Sequence, residues 1–168
     1  MRNIDLYLLE KFKSKEGRAV CYLMVGIPGS GKSTWIKNHL PKDINVISRD
    51  KIRAEIGITK DVDNKGVGSH QEEMKVTSIE NDYIKKAIKK KETFVIDDTN
   101  YRRKDRKKTI QFLRSLGTYV IGVNVETPLE TCIKRREGQI DPEVMTNIAK
   151  KFIPVSYDEE VDEIIKVK

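Results

Sequence analysis

Gly26-Ile27-Pro28-Gly29-Ser30-Gly31-Lys32-Ser33 follows directly on an apolar run from Ala19 to Val25. The octet matches the Walker A pattern in full, and the segment behind it, Thr34 to Leu40, is helix-forming. Strand, glycine-rich turn and helix in that order restrict the fold more than any other feature of the chain. Backbone N–H groups of such a turn can wrap a polyphosphate, and the helix N-terminus adds donors and positive potential. Lys32 would reach the β and γ phosphates, and the Ser33 hydroxyl would take a Mg²⁺ position. Gly26, Pro28, Gly29, Ser30, Gly31, Lys32, Ser33 and Thr34 are therefore the candidate ATP-binding residues, with Ser33 as candidate metal ligand.

The remaining elements alternate around this loop. Residues 3 to 13 read as an amphipathic helix, with Ile4, Leu8, Leu9 and Phe12 along one side. Ile44 to Ile47 is a short second strand, and helical periodicity resumes through Ile52 and Ile56. Thr59 to Gly68 reads as a mobile glycine-rich loop. A long helix from Ser69 or His70 to Lys91 follows, with Met74, Ile79, Tyr83, Ile84, Ala87 and Ile88 inward. Thr93 to Ile96 is a strand, Arg103 to Leu116 a helix ended by Gly117, and Thr118 to Val125 an apolar strand of the interior parallel kind. Thr127-Pro128 and Asp141-Pro142 each cap and start a helix. Ile153 to Val155 is expected as an edge strand and Asp158 to Ile165 as a closing helix. The pattern predicts an α/β fold: a P-loop kinase-like open parallel sheet, helices on both faces, and a small helical lid. At 168 residues, residues 1–17 form a helical extension and 18–168 one domain, its lid near 132–145.

Charge and cysteine usage narrow the class further. No apolar stretch approaches the ~20 residues of a membrane span, and the N-terminus lacks the apolar core of a secretion signal. Cys21 and Cys132 fit no metal spacing and read as buried thiols of a cytoplasmic protein, or of the host cytoplasm for a phage-encoded chain. A net charge of +7 favours polyanionic partners. Lys85 to Lys91 reads as a solvated helix face. Arg102, Arg103, Lys104, Arg106, Lys107 and Lys108 begin close to a strand end, where they either solvate a helix or track an acceptor backbone.

Three strand ends carry further chemistry. Asp50 and Arg53, i and i+3 after the second strand, can face one cleft. The aspartate either caps the helix or accepts the proton of an attacking hydroxyl, and the two roles are compatible. Arg53 can hold an anionic group of the acceptor. Phe94 to Ile96 running into Asp97-Asp98-Thr99-Asn100 has the Walker B shape, with Asp98 the preferred carboxylate. Arg135 and Arg136 close the next helix, where they either favour its C-terminus or neutralise charge on a transferring phosphoryl group. Trp35 reads as a core residue, His39 as a capping or surface residue, and Tyr101 as a candidate base-stacking residue.

Together, the phosphate loop, Ile47-Ser48-Arg49-Asp50-Lys51-Ile52-Arg53 and Ile96-Asp97-Asp98-Thr99-Asn100 resemble the P-loop polynucleotide 5′-hydroxyl kinases of phage type, over roughly Cys21 to Val155. The resemblance implies ATP and Mg²⁺ as cofactors and a 5′-hydroxyl DNA or RNA end as acceptor. It implies Lys32, Asp50, Arg53, Asp98 and Arg135 as catalytic residues: Asp50 the general base, Arg53 the contact to the acceptor phosphate, Asp98 a support behind them. Arg135 resembles the first lid arginine of that family, with only Arg136 nearby as a second, so the lid is shorter than the phage enzyme's. No phosphatase motif is present, so 3′-end healing is not expected. Two other readings use the same motifs: a small-molecule kinase for a nucleoside, nucleotide or sugar, and a non-catalytic ATP-dependent binding module.

Overall fold

The computed structural model describes residues 17–58 and 69–168. The expected helix over 3–13 and the loop over 59–68 lie outside the described residues. The elements in order are β1 (Val20–Val25), α1 (Lys32–His39), β2 (Asn45–Ile47), α2 (Arg49–Glu55), α3 (His70–Lys89) and β3 (Thr93–Ile96). They continue as α4 (Arg103–Ser115), β4 (Tyr119–Val125), α5 (Leu129–Arg135), α6 (Pro142–Lys151), a 3₁₀ turn (Tyr157–Glu159) and β5 (Glu163–Val167). All five strands pair in parallel, in the order β2-β3-β1-β4-β5.

β1 sits at the centre of the sheet and is buried along its whole length. Its side chains alternate between faces, as strand geometry requires. Cys21, Leu23 and Val25 pack with Ile52 of α2, Ile84 and Ala87 of α3, and Ile110 and Leu113 of α4. Val20, Tyr22 and Met24 pack with Trp35 and Ile36 of α1 on the other face. Both faces are thus covered, which is why the strand is apolar throughout rather than alternating. Trp35 is a core residue as expected, and both cysteines are buried and free. A smaller cluster joins Ile27 of the glycine-rich turn to Cys132 of α5 and Met145 of α6.

Two expectations fail at the C-terminal end. Ile153–Val155 is not a strand, and Asp158–Ile165 is not a helix. β5 instead pairs with β4, in parallel from Ile121↔Glu163 to Val125↔Val167. β-branched Ile164, Ile165 and Val167 suit a strand, and without β5 the backbone of β4 would form an unpaired sheet edge. Val155 has its backbone groups satisfied by a side chain instead of a ladder. Its N–H donates to Asn124 Oδ1 at 2.8 Å, and Asn124 Nδ2 donates to its carbonyl at 3.1 Å. One further expectation fails on α3, where Met74 is 60% exposed. The buried stripe there is Val76, Glu80, Ile84 and Ala87, at helical spacing that leaves Met74 on another side.

The C-terminal segment is fastened by Arg106, which is fully buried. Its guanidinium donates to both Glu159 carboxylate oxygens at 2.8 and 2.6 Å, and to the carbonyls of Asn100 and Ile153 at 2.7 and 2.8 Å. Val155, held in this way, packs against Gly122 of β4. A Cβ at position 122 would lie 2.5 Å from Val155 Cγ1. Gly122→Ala is therefore expected to destabilise the chain by about 1–3 kcal/mol through overpacking. Adding Val155→Ala should recover part of that loss in urea denaturation, and no recovery would place the strain elsewhere.

Candidate active site

The glycine-rich turn is held at its start by backbone and short polar groups. Gly26 N–H donates to the Thr99 carbonyl at 3.0 Å, and Asn100 Nδ2 donates to the Met24 carbonyl at 2.8 Å. Asn100 takes a left-handed conformation, φ 45°, which asparagine tolerates better than most residues. In the middle of the turn, Thr127 Oγ1 donates to the Ser30 carbonyl at 2.7 Å. Gly29, at φ 78°, lies so close to α5 that a Cβ would meet the Cys132 carbonyl oxygen at 2.7 Å. Thr99, Asn100 and Thr127 carry no assignment in the sequence reading beyond motif membership and helix capping. Their position directly after strand ends is the signal that could have found them.

Within the turn, Lys32 bends back, its Nζ donating to the carbonyls of Gly26 at 2.9 Å and Ile27 at 3.2 Å. Burial holds its ammonium below the ordinary lysine value. Ser33 Oγ donates to Asp97 Oδ2 at 3.0 Å. The carboxylate in contact with the loop is thus Asp97. Asp98 points to the other face of β3, where its Oδ1 accepts the Arg49 N–H at 2.9 Å. Burial and the neighbouring Glu80 push the Asp98 carboxyl well above the ordinary carboxylate range.

Asp50 lies inside the first turn of α2, whose N-cap position is taken by Ser48. Capping is therefore not its role. Its carboxylate is 69% exposed and accepts from Arg53 Nη1 at 2.9 Å. Arg53 also grips Glu73 with two nitrogens, at 2.9 and 3.0 Å. Arg49 joins the same Glu73 at 2.8 Å and reaches Glu80 at 2.8 Å. Glu73 and Glu80 escaped the sequence reading. They lie seven apart on α3, hence on one face, and the two arginines after β2 needed counter-charges. Among the described residues, no hydrogen bond or ion pair joins Asp50 or Arg53 directly to the loop; the link to β3 runs through Arg49 and Asp98.

Arg135 Nη1 donates to the Gly29 carbonyl at 3.1 Å, and Arg136 Nη1 to Gln139 Oε1 at 3.0 Å. Both arginines, with Gly31, Lys32, Ser33 and Thr34, line a cavity of about 500 Å³. His39 and Trp35 also line it and stack on each other, ring centroids 5.0 Å apart. A separate cavity of about 570 Å³ is lined by Arg49, Arg53, Glu73, Asp98, Tyr101 and Arg102. Among the described residues, no group of three or more His, Cys, Asp or Glu side chains could hold a metal ion alone. The Ser33 hydroxyl and Asp97 carboxylate supply the partial set that suits Mg²⁺ completed by donor phosphates and water.

The ion-pair cluster makes a pH prediction. The Arg53 guanidinium lowers the Glu73 carboxyl from 4.5 to about 2. A folded value below the unfolded one contributes stability that is complete above the unfolded value and is lost as pH falls towards the folded one. Glu73→Gln should thus be less stable than the parent at neutral pH, with the gap narrowing between pH 4.5 and 2. Urea denaturation across that range measures the gap, and a gap independent of pH would show that Glu73 is not the titrating group.

Comparison with known proteins agrees with the fold. Residues 22–148 match the family model described as AAA domain. The L-seryl-tRNA(Sec) kinase of Methanococcus maripaludis is 27% identical over 139 residues, covering 77% of this chain and 51% of that protein. The chain thus spans about half the length of this curated relative. A chain of the Pnkp1/Rnl/Hen1 RNA repair complex superposes with a TM-score of 0.68 at 18% identity, covering 83% of this chain and 45% of that one. A sugar kinase from Janibacter sp. HTCC2649 superposes at 0.61 and 12% identity, covering 88% and 85%. The matched span holds the phosphate loop and the strands β2 to β4, and the chain belongs to the AAA domain family.

Proposed function

We propose that the chain transfers the γ-phosphate of ATP to the 5′-hydroxyl end of DNA or RNA. The observation that carries this reading is the Asp50–Arg53 contact after β2, beside a cavity lined by Arg49 and Arg53. A strand tip away from the phosphate loop thereby places a proton acceptor beside two guanidinium groups. Two of the proteins described above favour a nucleic-acid acceptor by name: one kinase is named for a seryl-tRNA and one complex for RNA repair.

The chemistry follows from the side chains. The acceptor oxygen attacks the γ phosphorus, its O–H bond breaks, and Asp50 takes the proton. The new oxygen–phosphorus bond forms as the bond to the β-phosphate oxygen breaks and ADP departs. Lys32 would exchange the Gly26 and Ile27 carbonyls for phosphate oxygens, at little net loss of hydrogen bonding. Arg135 would do the same from the Gly29 carbonyl. Ser33 and Asp97 would hold Mg²⁺, which when bound would neutralise charge on the donor phosphates. Asp98 would hold the Arg49 backbone, and through it the start of α2, in place. Positioning and electrostatics thus supply most of the rate.

The sugar kinase likeness favours a second reading, a small-molecule acceptor. Labelled ATP offered with matched 5′-hydroxyl and 5′-phosphate oligonucleotides, seryl-tRNA, nucleosides and sugars separates the two. Label on the 5′-hydroxyl oligonucleotide alone is the expected result; label on a sugar or free nucleoside alone would replace it with the second. Asp50→Ala should lower the transfer rate by roughly 10²–10⁴, the usual share of a general base. Its ATP affinity, measured by calorimetry, should stay within a few-fold of the parent. Near-parental transfer by this variant would remove Asp50 from the base role.

A further inference from the structure

We propose that Tyr101, Ile153 and Tyr157 form a stacking platform for the unpaired bases that follow the 5′ end of a single-stranded acceptor. The proposal rests on the polynucleotide reading above and extends it to the form of the acceptor. It starts from an electrostatic deficit. Arg49 and Arg53, which line the cavity after β2, are already paired with Glu73, Glu80 and Asp50. Their pull on a polyanion is largely cancelled, so affinity for a nucleic acid must come from neighbouring surface.

Four large apolar side chains are exposed among the described residues: Met74, Leu116, Ile153 and Tyr157. Two of them fall on the short segment that runs beside Tyr101. The Ile153 N–H donates to the Tyr101 carbonyl at 3.2 Å, and Arg103 pairs with Asp158 directly after Tyr157. Tyr101 and Arg102 also line the cavity that holds Arg49 and Arg53. Tyr101 thus joins that cavity to the segment that carries Ile153 and Tyr157. Tyr157 is 64% exposed and Ile153 46%.

The strip is rigid, with cations beside Tyr101 and the acidic Asp158 and Glu160 beside Tyr157. Buried Arg106 ties the Asn100 and Ile153 carbonyls to one guanidinium, and Glu159 anchors the turn that carries Tyr157. A platform fixed beforehand loses little conformational freedom when a ligand settles on it. The Arg102 guanidinium lies over the Tyr101 ring, 5.3 Å from its centroid, and Lys104 and Lys108 on the adjoining turns of α4 are exposed. Aromatic rings interleaved with cations suit bases with their phosphates, and a duplex end would keep its bases stacked on one another.

Fluorescence anisotropy of a labelled 5′-hydroxyl pentanucleotide tests this with the full chain and needs no turnover. Tyr157→Ala should weaken binding about ten-fold, Ile153→Ala by less, and Tyr157→Trp should bind like the parent. Abasic sites behind the 5′ nucleotide should weaken the parent to the level of Tyr157→Ala and weaken that variant little further. A hairpin with a flush 5′ end should bind more weakly than the open strand. Equal binding by parent and Tyr157→Ala, equal binding of intact and abasic strands, or no binding by the parent would each overturn the platform. Tight, base-dependent binding without phosphate transfer would uphold the platform and refute the kinase reading instead.

Discussion

Gly26 N–H to the Thr99 carbonyl, and the Asn100 amide to the Met24 carbonyl, are short contacts between the ends of two central strands. They fix where the phosphate loop begins, and with it the direction in which α1 leaves the sheet. Because β1 is buried on both faces by α1 and by α2 to α4, the loop cannot shift without moving the core. Thr127 and α5 then confine the loop from the β4 side. A wrap of backbone N–H groups binds phosphate well only when those groups need no rearrangement, and this scaffold removes the need.

The two carboxylates at the end of β3 divide the labour by facing opposite ways. Asp97 touches the loop through Ser33. Asp98 reaches the backbone of Arg49, in a buried cluster where Glu80 also sits. Both sides of the site are therefore set by one strand end, and a shift of β3 would disturb both together. The cost is a site whose guanidinium groups are already balanced by acids.

The elements legible in the residues are those whose signals are local. Ser69 with Glu72 forms a reciprocal cap where the long helix α3 was expected to start, and Asp141 before Pro142 caps α6 as expected. The C-terminal misreading has the opposite origin. Glu163 to Val167 is short, and whether it coils or extends depends on the open edge of β4 rather than on itself. Ile153 to Val155 looks like a strand, yet the Asn124 side chain takes the hydrogen bonds a ladder would have used.

The sequence by itself determined the strand, loop and helix around Gly26 to Ser33, because glycine placement, helix-forming residues and an apolar run are properties of adjacent residues. It also determined that strand ends would carry the polar groups, since a sheet buried on both faces admits them only at its ends. Only the tertiary structure decided which of Asp97 and Asp98 meets the loop, that Glu73 and Glu80 face Arg49 and Arg53, and that Ile153 lies beside Tyr101. These contacts join residues distant in the chain, and their geometry follows from strand register and helix phase, which no single segment contains.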